Sequence, residues 1–157
     1  MPNYDFCSHT EDYLQRLSSC FTNKRINEIE LLANDICNIW DNNKKIFICG
    51  NGGSAATASH FANDIAIGTN SYQKPFRIIS LTDNQAILTA IGNDFGYNEI
   101  FTRQLKVLAK SGDVLVGISA SGNSPNLLEA FRYAKSKEIK TVAITAFDGG
   151  KLLPLGD

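Results

Sequence analysis

Two short loops of glycine, asparagine and serine carry the residue types best suited to holding an anion. The first is Gly50-Asn51-Gly52-Gly53-Ser54; the second is Ser119-Ala120-Ser121-Gly122-Asn123-Ser124. Glycines leave backbone N–H groups open to a ligand, hydroxyls add donors, and a following helix N-terminus supplies a positive dipole end. Phosphate has several acceptor oxygens and can be surrounded this way without a large positive charge. Neither loop is a nucleotide loop. No GxxxxGK[ST] occurs, and glycines at 50, 52 and 53 do not make GxGxxG, so no nucleotide cofactor is expected. The alternative for the first loop is a tight strand-to-helix turn with Ser54 as its cap. Two loops of one kind at equivalent places tip the balance toward a ligand. His60 and Asp64 stand four apart, which places them on one face of a helix. On their own they read as a helix histidine with an ordinary hydrogen bond and a solvated carboxylate.

These loops need elements to position them. Ile46-Phe47-Ile48-Cys49 is a short apolar run ending at the first loop, the pattern of a buried strand. Ser54 then opens an alanine-rich helix over about residues 55–67, and Gly68 and Asn70 begin a polar loop ending near Pro75. The unit recurs. A strand at Arg77-Ile78-Ile79-Ser80-Leu81 precedes a helix over about residues 84–91, which Gly92-Asn93-Asp94 is expected to break. Another helix covers about residues 99–110, with Ile100, Phe101, Leu105 and Leu108 on one side. A strand from Asp113 to Ile118 leads into the second loop, and the next helix carries Leu127, Leu128, Ala130, Phe131 and Ala134. Thr141-Val142-Ala143-Ile144-Thr145 is a fourth strand, and Asp148-Gly149-Gly150 a turn. Alternating strands and helices with short connections make an α/β fold with a parallel sheet. Right-handed crossovers put the loops at the strand C-terminal ends on one edge, where such sheets bind ligands.

Two amphipathic helices come first. Ser8 and Glu11 have capping-box spacing ahead of the stripe Tyr13, Leu14, Leu17, Cys20 and Phe21. The second stripe, Ile26, Ile29, Leu32, Ala33, Ile36, Ile39 and Trp40, keeps the 3.6-residue period until Asn42-Asn43. Helical cover for the sheet and contact with another subunit fit this periodicity equally. The chain has 157 residues, a net charge of −1, 43% apolar and 20% charged residues, enough for one core. That balance gives no support for nucleic-acid or anionic-membrane binding, and no apolar run approaches a bilayer span. Met1-Pro2-Asn3-Tyr4-Asp5 lacks the blocks of a signal peptide, so the expected compartment is the cytoplasm. Cys7, Cys20, Cys37 and Cys49 fit no zinc or CxxC spacing and read as small hydrophobes or free thiols.

Three separated stretches then resemble one known family. Gly50-Asn51-Gly52-Gly53-Ser54 through Ser59-His60-Phe61-Ala62, then Gly92-Asn93-Asp94-Phe95-Gly96, then Ile118 through Ser124 look like the sugar isomerase (SIS) domain family. Their order and spacing are similar to its phosphoheptose isomerases. The resemblance implies a three-layer sandwich, a parallel sheet flanked by helices with flavodoxin-like, nucleotide-binding-like topology. It divides the chain into an N-terminal helical segment, 1–43, for oligomer contact and an α/β domain, 44–157, expected to lack its C-terminal strand and helix. It implies an aldose–ketose isomerase that converts sedoheptulose 7-phosphate to D-glycero-D-manno-heptose 7-phosphate for heptose in bacterial surface glycans such as lipopolysaccharide or capsule. The family is usually a homotetramer with its site at a subunit interface.

Residue by residue, the resemblance puts Asn51, Gly52 and Gly53 on the substrate, with Ser54 beside them. Asn93 and Asp94 would line the sugar pocket. Ser119, Ala120 through its backbone, Ser121 and Ser124 would bind the phosphate. His60 and Asp64 fall where the family has a histidine and a glutamate that bind zinc, the glutamate also serving as catalytic base. Aspartate is one methylene shorter, and a shift near 1 Å costs about a hundredfold where geometry is tight. The family's other ligands, a glutamine and a catalytic histidine on a C-terminal helix, have no counterpart in this sequence, so its zinc set is incomplete. Two other functions stay open: a noncatalytic SIS sensor or protein adaptor of the replication-initiator-associating type, and an isomerase for another sugar phosphate.

Overall fold

The computed structural model describes residues 5–157. The chain forms two compact units, Met1–Cys37 and Asn38–Asp157. For residues 1–4, the reading of the N-terminus as lacking a signal peptide lies outside the described residues.

The first unit is helical. Helix α1 spans Phe6–Ser19, and α2, Asn23–Asp41, begins within this unit. The cap of α1 is not the expected Ser8. Asp5 takes that place, its carboxylate accepting the backbone N–H groups of Cys7 and Ser8 at 3.1 and 3.2 Å. A carboxylate satisfies the orphan donors and also suits the positive end of the dipole. Ser8 lies inside the helix and donates its hydroxyl to Asp5 at 2.6 Å. The stripe residues Tyr13, Leu14, Leu17, Phe21, Ile26 and Ile29 are all exposed.

The second unit holds a parallel sheet of β1 (Lys45–Gly50), β2 (Arg77–Ser80), β3 (Val114–Ser119) and β4 (Lys140–Thr145), in the order β2-β1-β3-β4. β1 pairs with both neighbours: Phe47 lies opposite Ile79 of β2 and Leu115 of β3. Ile46, Phe47, Ile48, Cys49, Val114, Leu115 and Val116 are all buried, as expected for central parallel strands covered on both faces.

Strand order decides which face each helix takes. The chain leaves β1 in one direction to reach β2 and leaves β3 in the other to reach β4. Right-handed crossovers therefore carry the intervening helices to opposite faces. Helix α3 (Gly53–Asn63) packs on β1, with Ala58 and Ala62 buried. A π-helical turn, Asp64–Gly68, completes the expected helical stretch over 55–67. On the other face, α5 (Thr102–Leu108) and α6 (Pro125–Ser136) contribute Leu105, Leu127, Ala130, Phe131 and Ala134 to a core with Phe47, Cys49 and Leu115. Every apolar residue expected on α6 is buried.

Two boundaries differ from expectation. Helix α4 spans Gln85–Phe95, capped by the Asn84 side chain on the Ile87 N–H, and runs straight through Gly92-Asn93-Asp94. The stop is Gly96, whose φ of +92° suits a residue without Cβ. The stretch expected as one helix over 99–110 is a 3-10 turn, Tyr97–Glu99, followed by the shorter α5.

Candidate functional site

Between β1 and β3 the connections depart in opposite directions, and the crevice at the strand C-terminal ends is where open α/β sheets take ligands. Both small-residue loops open there, since Gly50 at the end of β1 lies opposite Ile118 near the end of β3.

The first loop turns sharply into α3. Gly50 has no room for a Cβ, which would sit 2.7 Å from Ser54. The carbonyls of Asn51 and Gly52 accept from the Ser54 and Ala55 N–H groups, both at 3.0 Å. Gly52 occupies the cap position, and no side chain caps α3. Ser54 is thus the second helical residue and not a cap.

The second loop curls on itself. Ser119, at the end of β3, accepts the Gly122 N–H on its hydroxyl at 3.1 Å, and that hydroxyl lies 3.4 Å from the Ser124 hydroxyl. Ser121 accepts the Asn123 N–H at 3.3 Å. Ser124 is the residue before α6, yet its side chain makes no capping bond. Ser119 is buried, Ser124 half-buried, and Ala120 and Ser121 exposed. The turn at Asp148-Gly149-Gly150 braces this loop from behind. Leu152 N–H donates to the Gly122 carbonyl at 2.8 Å and Lys151 N–H to the Asn123 side chain at 3.2 Å. Gly122 has φ +62°, and a Cβ there would fall 1.9 Å from the Gly149 carbonyl oxygen.

The two loops are tied by residues that the sequence reading missed. Asn51 and Asn126 exchange a reciprocal pair of amide hydrogen bonds, each 2.9 Å. Tyr97, on the turn after α4, donates its hydroxyl to Asn51 Oδ1 at 3.0 Å. Nothing local marks Asn126 or Tyr97, because their partner lies far away in sequence. The end of β2 carries a second unforeseen network. Ser80 donates to Asp83 at 3.0 Å, Ser59 of α3 also donates to Asp83, and the Thr82 hydroxyl lies 2.7 Å from Ser80 and 3.2 Å from Ser59. It fixes the middle of α3 against the sheet.

The remaining expected residues are not drawn into the paired loops. Asn93 and Asp94 are exposed on the last turn of α4, where Asn93 donates to Asp94 at 2.8 Å. His60 Nε2 lies 3.3 Å from Asp64 Oδ2, with side chains 78% and 58% exposed. Asp64 sits about 15 Å along the axis from Ser54 at 1.5 Å per residue. Among the described residues no cluster of three His, Cys, Asp or Glu side chains could hold a metal. Two donors fall short of a specific zinc site. Zinc does not fit the described residues by themselves. Burial pushes the Cys49 thiol up to about 12, so it stays a neutral part of the core.

This geometry has counterparts in known proteins. A phosphoheptose isomerase of Helicobacter pylori is 49% identical over 117 residues, which cover 74% of this chain and 61% of that protein. One from Campylobacter concisus is 43% identical over 127 residues, 81% of this chain and 67% of the relative. The chain therefore spans about three fifths to two thirds of the length of the curated relatives it matches. Among solved structures, the phosphoheptose isomerase GmhA from Neisseria gonorrhoeae superposes with a TM-score of 0.78 at 36% identity, covering 96% of this chain and 78% of that one. A phosphoheptose isomerase from Francisella tularensis gives 0.83 at 28% identity, covering 98% and 82%. The model of the SIS domain matches residues 9–146, from within α1 to just past β4, so both loops and the sheet that presents them lie inside the match: the chain belongs to the SIS domain family.

Proposed function

We propose that this chain carries the sugar-phosphate site of a phosphoheptose-type aldose–ketose isomerase acting on sedoheptulose 7-phosphate. The observation that carries the reading is the second loop. The Ser119 and Ser124 hydroxyls lie 3.4 Å apart at the start of α6, with Ser124 making no capping bond and the backbone folded tightly around them. Ser119, the Ala120 backbone, Ser121 and Ser124 then hold the phosphate. Asn51, Gly52, Gly53 and Ser54 contact the sugar, and Asn93 and Asp94 orient its hydroxyls.

Isomerisation needs a base beside the carbonyl. Asp64 takes a proton from C1 of the open-chain ketose, electrons move through the enediol, and a proton returned to C2 leaves the aldose. His60, 3.3 Å away, steadies the carboxylate. The acid that serves the oxygens is a group these residues do not supply. The reading extends to a heptose-phosphate role in bacterial surface-glycan synthesis and to a cytoplasmic setting. No helix among the described residues is long and apolar enough to cross a membrane. Exposed Phe6, Tyr13, Leu14, Phe21 and Ile29 support assembly of the first unit with further copies, up to a homotetramer with sites at its interfaces. Light scattering reads that state.

The His60–Asp64 pair also favours a second reading. It is solvent-exposed and short of a metal set, as a noncatalytic sugar-phosphate sensor or adaptor would tolerate. Incubation with sedoheptulose 7-phosphate, with and without zinc, separates the two. Heptose 7-phosphate appears if the chain is the isomerase, with Asp64→Asn lowering the rate by about a hundredfold or more. Phosphate-competable binding without product sinks the enzyme reading and leaves the sensor.

A further inference from the structure

The backbone decides which way the two amides joining the loops must face. The Leu127 N–H can only donate, and it meets Asn126 Oδ1 at 3.0 Å. The other arm of Asn126 is therefore its NH₂ group, which donates to Asn51 Oδ1 at 2.9 Å. Asn51 in turn points its own NH₂ at Asn126 Oδ1, also at 2.9 Å. Asn51 Oδ1 takes a second bond from the Tyr97 hydroxyl at 3.0 Å. A carboxamide has two lone pairs on oxygen and two hydrogens on nitrogen. Both acceptor positions of Asn51 are filled and one of its hydrogens is used. What it has left for a ligand is a single N–H donor.

The pinning group is well placed to enforce this. Asn126 is 1% exposed at the start of α6, and burial there makes an unmatched polar group costly. Asn51 is half-buried at the mouth of the crevice. Tyr97 is 60% exposed and reaches Asn51 because the turn that carries it packs against α6.

We propose that Asn126 is a positioning residue which, with Tyr97, fixes Asn51 as a hydrogen-bond donor toward an acceptor oxygen of the bound sugar phosphate. This rests on the sugar-phosphate reading above. A donor held in place suits an oxygen that gains negative charge as a carbonyl becomes an enediol. A reversed amide would offer that oxygen a lone pair and repel it.

The test is calorimetric titration of the full chain with sedoheptulose 7-phosphate and, separately, inorganic phosphate. Asn126→Ala weakens sedoheptulose 7-phosphate binding about tenfold and Tyr97→Phe about fivefold. Inorganic phosphate, which reports the serine loop alone, changes by less than about twofold. In an Asn51→Ala background neither substitution has a further effect, because the group they position is gone. Tyr97→Phe removes one exposed hydroxyl, so it reads out even if Asn126→Ala fails to fold. Parallel losses for both ligands, or an undiminished effect in the Asn51→Ala background, overturn the proposal in favour of a general loop-bracing role. Wild-type chain that binds inorganic phosphate but not sedoheptulose 7-phosphate overturns the sugar-phosphate reading itself, and that is visible before any variant is made.

Discussion

A serine ahead of a helix can either cap it or turn its hydroxyl toward a ligand, and the difference is measurable. A serine that caps a helix loses about 1 kcal/mol of stability when changed to alanine. Ser124 precedes α6 without capping it. Ser124→Ala is therefore expected to leave thermal stability within about 0.5 kcal/mol while lowering inorganic phosphate affinity about tenfold. A matching loss of stability, read by thermal melts beside the titration, contradicts this assignment. Cys49 gives a second residue-scale expectation. With its thiol pushed up to about 12 by burial, it resists thiol reagents at neutral pH, whereas exposed Cys7, Cys20 and Cys37 react in the free chain. Mass mapping after brief alkylation checks the order. The glycines and serines of both loops were legible in the sequence because their chemistry is local. Asn126 and Tyr97 were not, because what they do depends on Asn51, which only folding brings near.

At the scale of elements, periodicity was a sound guide and ends were not. The stripe on α6 and the short apolar runs of β1 and β3 are buried as their patterns require. Helix ends depend on single backbone angles and on which carboxylate reaches a free N–H. Asp5 caps α1 in place of Ser8, and Gly96 in place of Gly92 ends α4. Buried Asp113 shows the same dependence at the strand origins. Its carboxylate accepts the Lys45 and Lys110 N–H groups, each at 2.9 Å, and so ties the start of β1 to the turn before β3. Asp113→Ala strands both donors and is expected to cost about 2–4 kcal/mol in denaturant unfolding. The bracing of the serine loop by the Asp148-Gly149-Gly150 turn belongs here too. Gly122→Ala drives a methyl group into the Gly149 carbonyl, so phosphate affinity should fall along with stability.

Across the whole molecule, a net charge of −1 fits the proposed phosphate site, made of hydroxyls and amides rather than cations. One acidic group does carry a pH signature. Burial pushes the Asp157 carboxyl up, but hydrogen bonds from Lys135 and from Thr141 outweigh it, and the net result is a lowered pKa. Its folded value lies below its unfolded one, so its contribution is full above the ordinary carboxylate range and fades as pH falls through the folded pKa. Asp157→Asn should lower the melting temperature at pH 7, and the gap from wild type should close in acid. A gap independent of pH contradicts that. The parallel sheet and the placing of both loops at its strand C-terminal edge were legible from the order of strands and loops alone; the crevice between β1 and β3 needed the strand order β2-β1-β3-β4. That the His60–Asp64 pair lies exposed and apart from the paired loops was not legible either, because helix spacing shows which residues share a face but not what that face meets. That Asp64 nevertheless serves as the base for a sugar phosphate held at the crevice is the central proposal, and proton exchange at carbon tests it most directly. With sedoheptulose 7-phosphate in D₂O, followed by NMR, the chain is expected to place deuterium at C1, with Asp64→Asn and Ser124→Ala each suppressing the exchange. Bound sugar phosphate whose C1 protons exchange no faster than in free solution would contradict the account.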